Sequence, residues 1–145
     1  MKNIKLKNII FMLICISLSL LGWQTPATDA DLQYWKVLMA EAVSEGYEGM
    51  YAVACVIRNR GGRLNGFCGA NREDLDGFCI KQGKQYISIA KTVERHVFIE
   101  DGWDVTFGAS HFENIEKFGE PCWTKGMIST AKIGNHTFYK EAKNS

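Results

Sequence analysis

The chain has 145 residues, 17 of them Lys or Arg and 16 Asp or Glu, for a formal net charge of +1. That near-balance excludes the concentrated basic surface that nucleic acid demands. Eight Phe, five Tyr and four Trp are too many core-forming side chains for a disordered chain. Lys2, Lys5 and Lys7 precede an uncharged apolar run from Ile9 to Leu21, which is the layout of a secretory signal peptide. Small residues suited to cleavage follow at Thr25-Pro26-Ala27 and Thr28-Asp29-Ala30. A cut after Ala27 makes residues 1–27 the signal and residues 28–145 a single domain. That domain has 118 residues, 14 basic and 16 acidic, and a net charge of −2. No later apolar run approaches a membrane span. The mature domain is therefore expected to be soluble and to work in the cell envelope, periplasm or medium.

The predicted elements run as follows. Asp29 or Asp31 caps a helix over about residues 32–45, with Leu32, Trp35, Leu38, Met39 and Ala42 at helical spacing. Gly46 is its natural stop. A second helix over about 48–59 carries Met50, Val53, Ala54 and Ile57 on one face. Ala52, Cys55 and Val56 make it apolar almost all round, as in a helix buried at a domain centre. Residues 61–83 contain six Gly and two Cys and read as a long loop of the kind that shapes clefts. A third helix follows over about 84–100, with Tyr86, Ile89, Ala90, Val93 and Val97 as its stripe. Thr106 is positioned to cap a short helical turn reaching Phe112. Residues 127–133 and 136–139 flank Gly134-Asn135, the signal of a tight hairpin. The fold class is α+β, mainly helical with a short C-terminal β-hairpin.

Cys15 falls in the apolar leader, which leaves Cys55, Cys68, Cys79 and Cys122. An even set in an oxidising compartment reads as two disulfides whose pairing stays open. The Gly-, Asn- and Asp-rich stretch between Cys68 and Cys79 mildly favours a bridge there. The rival reading, zinc, lacks the short Cys-x-x-Cys knuckle. No two His have ligand spacing, so no metal and no cofactor is expected.

Glu41 is the leading chemical candidate. Its neighbours in Leu38-Met39-Ala40-Glu41-Ala42 are apolar or small, so its carboxyl is partly desolvated. Desolvation raises a carboxyl pKa and readies it to act as a general acid. An amphipathic helix with one polar Glu explains the same pattern. Glu45 lies one turn on and faces similarly, either tuning Glu41 or ending the helix. Glu48 reads as a favourable acid in a first helical turn. Asn59 is expected to order the following loop through backbone hydrogen bonds. Of the histidines, His96 reads as solvated, and His136, after the hairpin turn, as either structural or at a cleft rim. Tyr86, Trp103, Trp123, Phe138 and Tyr139 are candidates to stack on sugar rings, although each alone fits a core position equally well.

Together these residues resemble a known family. Ala40-Glu41-Ala42-Val43-Ser44-Glu45-Gly46-Tyr47-Glu48-Gly49 continues into Ala52-Val53-Ala54 and Val56-Ile57-Arg58-Asn59-Arg60. This resembles the opening motif of the cell-wall hydrolases typified by the catalytic domain of spore cortex-lytic enzymes. Ile133-Gly134-Asn135-His136-Thr137-Phe138-Tyr139 is similar to that family's closing motif. The stretches Phe78 to Tyr86 and Asp104 to Phe112 are similar to its two middle motifs, and Ser44 and Val105 replace a Gly and a Pro. The resemblance implies a lysozyme-like fold and cleavage of the glycan strands of peptidoglycan, with Glu41 as the catalytic acid. It implies lytic transglycosylase chemistry, in which the sugar's own 6-hydroxyl closes on the anomeric carbon. A hydrolase would need a second carboxylate, with Glu45 or Asp104 the candidates. Gln85, Tyr86, Trp123, His136 and Tyr139 are the expected substrate contacts, and a monomer is the expected state. The competing readings are a non-catalytic glycan-binding or structural envelope protein of the same fold, and an inhibitor or effector acting on another cell.

Overall fold

The computed structural model describes residues 33–142. The expected leader and the expected caps Asp29 and Asp31 lie outside them. Helix α1 spans Tyr34–Ala42 and buries Val37, Leu38, Met39 and Ala42. A 3-10 turn, Val43–Glu45, carries the chain directly into α2, Gly46–Asn59. Gly46, read as a stop, has φ 66, which only glycine adopts cheaply. It is therefore a corner at which one helix hands over to the next. Helix α2 buries Gly49, Met50 and every residue from Ala52 to Ile57, and both α1 and the later helix α4 pack on it.

Residues 61–83 are not one loop. They hold a 3-10 turn at Gly69–Asn71 and helix α3, Leu75–Gln82, whose N-cap Asp74 accepts a hydrogen bond from the Gly77 N–H at 3.2 Å. Only Cys79 of α3 is buried, so the helix has no apolar stripe for periodicity to detect. The two expected disulfides are also not realised, since all four described cysteines are free thiols. Cys55 and Cys79 are buried, and their thiols point at two separate carbonyls, Trp103 O and Lys36 O, each at 3.8 Å. Cys68 and Cys122 are exposed. Burial pushes the Cys55 thiol up to about 11.

Helix α4, Lys84–Phe98, buries Ala90, Val93, Glu94 and Val97. Glu94 is held rather than stranded, since its carboxylate accepts the Trp35 N–H at 3.0 Å. The helical turn expected after Thr106 does not form. Asp104 instead gathers the chain around its carboxylate: Oδ1 accepts from the Thr106 N–H at 2.9 Å and the Thr106 hydroxyl at 2.6 Å, and Oδ2 accepts from the Gly108 N–H at 2.7 Å. Phe107 and Gly108 then take φ of 55 and 85, which no right-handed helix contains.

Strand β1, His111–Glu113, follows, then a short helix α5, Ile115–Phe118. Strands β2, Met127–Ile133, and β3, His136–Glu141, form the expected hairpin, closed by the pair Ile133 and His136. The antiparallel sheet has the order β1-β3-β2, with β1 a strand the sequence reading lacked. Thr130 is the extra residue of a bulge in β2, and its hydroxyl donates to Thr106 O at 2.7 Å, tying the sheet to the Asp104 loop. Among the described residues no helix is long and apolar enough to cross a membrane.

Candidate active site

Glu41 lies in the last turn of α1, half-buried. Its Oε1 accepts a hydrogen bond from the Gly69 N–H at 2.6 Å. Gly69 is indispensable to that contact. A Cβ there would lie 2.6 Å from the Cβ of Ala40 and 3.0 Å from Glu41 Oε1, so a side chain would drive the donor away. Burial raises the Glu41 pKa above its ordinary value. The Gly69 hydrogen bond and the charge of His136 oppose that rise, and the charge of Glu113 adds to it. The resulting carboxyl holds its proton longer than an exposed one.

Two of these three partners, Gly69 and Glu113, were not singled out in the sequence. Gly69 sits in a stretch that reads as loop punctuation. Glu113 ends a strand of three residues, too short for alternation to register. Its Oε1 accepts from the Asn114 N–H at 2.8 Å. Strand alternation puts Glu113 on the same face of β1 as His111. Phe112 on the other face packs on Phe67 and Phe138, each with a 5.7 Å ring separation.

Glu45 and His136 form a pair. Nδ1 of His136 lies 2.9 Å from Glu45 Oε1, with both side chains largely buried at 12% and 7% exposure. This is an ion-pair contact rather than an aligned hydrogen bond, since Nδ1 has no partner in hydrogen-bond geometry. Glu45 Oε2 accepts from the Asn135 N–H at 3.3 Å, and its carboxylate fills the space that a Cβ at Gly134 would need. Glu45 therefore locks the hairpin turn to the start of α2. His136 is further held edge-on to Phe112 at 4.9 Å.

Asp104 is spent on its loop. Asn59 Nδ2 donates to its Oδ2 at 2.9 Å and also to Ala109 O at 2.9 Å, so Asn59 orders this loop rather than the one that follows it in sequence. Burial would raise the Asp104 pKa, but the hydrogen bonds from Thr106, Asn59 and Gly108 outweigh it and hold the carboxyl below its ordinary range. Trp123 packs on His111 at 5.4 Å and edge-on to Tyr139 at 5.5 Å. Tyr139 is itself buried at 7% exposure, so Trp123 is the ring left to face a ligand. Gln85 and Tyr86 occupy the first turn of α4, and among the described residues no hydrogen bond, ion pair or ring contact joins either to Glu41 or His136. The elements thus bring together Glu41, Gly69, Glu45, Glu113 and His136, with His111 and Trp123 continuing the β1 face.

Residues 44–139 match the family model described as cell wall hydrolase. The chain belongs to the cell wall hydrolase family. Glu41 lies just before the matched segment, one turn from Glu45 inside it. Among solved structures, the catalytic domain of the Bacillus cereus SleB protein superposes with a TM-score of 0.50 at 25% identity. The match covers 82% of this chain and 99% of that domain. The catalytic domain of the germination-specific lytic transglycosylase SleB from Bacillus anthracis gives 0.49 at 24% identity, over 79% and 100% of the two chains. No curated protein matches. The cell wall hydrolase domain accordingly has the lysozyme-like α+β fold of the spore cortex-lytic type.

Proposed function

We propose that this cell wall hydrolase domain is a secreted lytic transglycosylase that cleaves the MurNAc–GlcNAc glycan strand of peptidoglycan, with Glu41 as its single acid and base. The carrying observation is the half-buried Glu41 carboxyl, raised in pKa and hydrogen-bonded on one oxygen only by the Gly69 N–H. That bond engages Oε1 and leaves Oε2 to carry the proton. Protonated Glu41 donates to the bridging oxygen as the bond to the anomeric carbon breaks. The resulting carboxylate then accepts the proton of the 6-hydroxyl as its oxygen closes on that carbon. Proton and bonds balance without water, and the product ends in a 1,6-anhydro sugar.

A hydrolytic outcome is the second reading, favoured by one observation. Glu113 is a second carboxylate acting on Glu41, as a two-acid glycosidase requires. Glu45 and Asp104 are less suited, because each is engaged in holding a turn or loop.

The test is digestion of sacculi by wild type and Glu41→Gln. Wild type is expected to release soluble muropeptides, and the variant to be slower by about a hundredfold or more with unchanged circular dichroism. Equal rates would overturn the reading. Co-sedimentation without release by wild type would instead point to glycan binding alone. Product masses separate anhydro ends from reducing ends.

A further inference from the structure

A pocket of about 450 Å³ lies beside the Gly134–Asn135 turn, lined by Tyr47, Glu48, Tyr51, Val105 and Ile133. None of the groups acting on Glu41 lines it, so it is separate from the acid site. Glu45, at the head of α2, stands between the two, reaching His136 on one side and preceding Tyr47 and Glu48 on the other.

The polar character of this pocket is one-sided. The Tyr47 hydroxyl shares a hydrogen bond with His96 Nδ1 at 2.8 Å, and the Tyr51 hydroxyl donates to Trp103 O at 3.1 Å. Both hydroxyls are thus committed to the protein. The rings lie 5.7 Å apart, tilted by 31°, and form a continuous aromatic wall. Glu48 is exposed and, among the described residues, makes no ion pair or side-chain hydrogen bond. Nearby cations are already used. Arg58 donates to Val97 O at 3.1 Å and Gly102 O at 2.7 Å and pairs with Asp101, while Arg95 and His96 pair with Glu100.

Burial raises the Tyr47 pKa, and the Glu100 charge adds to the rise. Burial likewise raises that of Tyr51, where Cys55, Tyr47 and Asp104 add to the rise and Arg58 opposes it. The pocket therefore offers aromatic faces and one free, acceptor-only charge. A neutral sugar amide needs donors as well as acceptors. An ammonium carries only donors and positive charge, and matches what is present.

We propose that this pocket is a subsite for a primary ammonium group, supplied by the side-chain amine of the diamino acid in a peptidoglycan peptide stem. This rests on the reading that the domain acts on peptidoglycan, and it makes the stem a determinant of where the strand is held.

The experiment has two arms. In the first, sacculi with free amines and sacculi with N-acetylated amines are digested by wild type and by Glu48→Gln. Wild type is expected to show a KM roughly tenfold higher on acetylated material at similar kcat, and Glu48→Gln to show one KM for both. In the second, chemical shifts of the Tyr47 and Tyr51 rings are followed during titration with N-acetyl-L-Ala-γ-D-Glu-L-Lys or the same peptide also acetylated at Nε. Only the free amine should move them, and Tyr47→Leu should weaken that binding. Equal wild-type KM values, shifts with both peptides, or shifts with a stem-free glycan fragment instead would each overturn the proposal. Absence of all cleavage would count against the peptidoglycan reading, and the peptide titration would still decide the pocket.

Discussion

Glu41 sits under two opposed charges from the sheet, with His136 lowering its pKa and Glu113 raising it. A general acid works only while protonated, so its rate falls as pH rises through its pKa. Glu113→Gln removes a negative charge and should move the alkaline limb of kcat/KM to lower pH. His136→Gln removes the opposing positive charge and should move it to higher pH. A pH profile of the two variants beside wild type checks both directions at once. Thermal stability offers a second check on Glu41. Its folded pKa lies above the ordinary value of 4.5, so the folded state holds that proton more tightly. The stability this contributes is complete below about 4.5 and is lost as pH rises through the higher folded value. Glu41→Gln never ionises, so its Tm relative to wild type should rise between about pH 4 and pH 7, by scanning calorimetry. Catalytic function is then lost while stability is gained.

The Asp104 loop and the hairpin turn decide where these residues lie. Asp104 collects four hydrogen bonds, from Asn59, Gly108 and both the amide and hydroxyl of Thr106. Asp104→Asn should cost about 2 kcal/mol by urea denaturation. The folded pKa of Asp104 lies below the ordinary value of 3.8, so its stabilisation is present above 3.8 and lost as pH falls through the lower folded value. Wild type and variant should converge in that acid range. Elements with one strong local signal were legible. The stripe of α4 and the Gly-Asn turn of the hairpin both appear as read. Helix α3 and strand β1 were not, because α3 lies on the surface without an apolar face and β1 has only three residues. The turn after Thr106 was misread because the Asp104 side chain competes for the same backbone N–H groups.

At the scale of the molecule, α2 is the axis on which α1 and α4 pack, and the sheet closes the structure at its far end in the chain. Leu38 is fully buried in α1, so Leu38→Ala should lower stability by about 3 kcal/mol. A urea midpoint that falls with unchanged slope is the measurement. By itself the sequence determined the buried character of α2, the hairpin and the family, and it singled out Glu41 as the candidate acid. Each of these is written in residue types a few positions apart, where helix and turn geometry convert spacing into a face. Tertiary structure alone decided that Gly69 would grip Glu41 across 28 residues and that the Asn135 N–H would meet Glu45 across 90. It alone also brought Glu113 close enough to act on Glu41, and left Glu48 unpaired beside two tyrosines. Those contacts depend on how helices and sheet pack together, and short-range spacing carries no information about partners so distant in sequence.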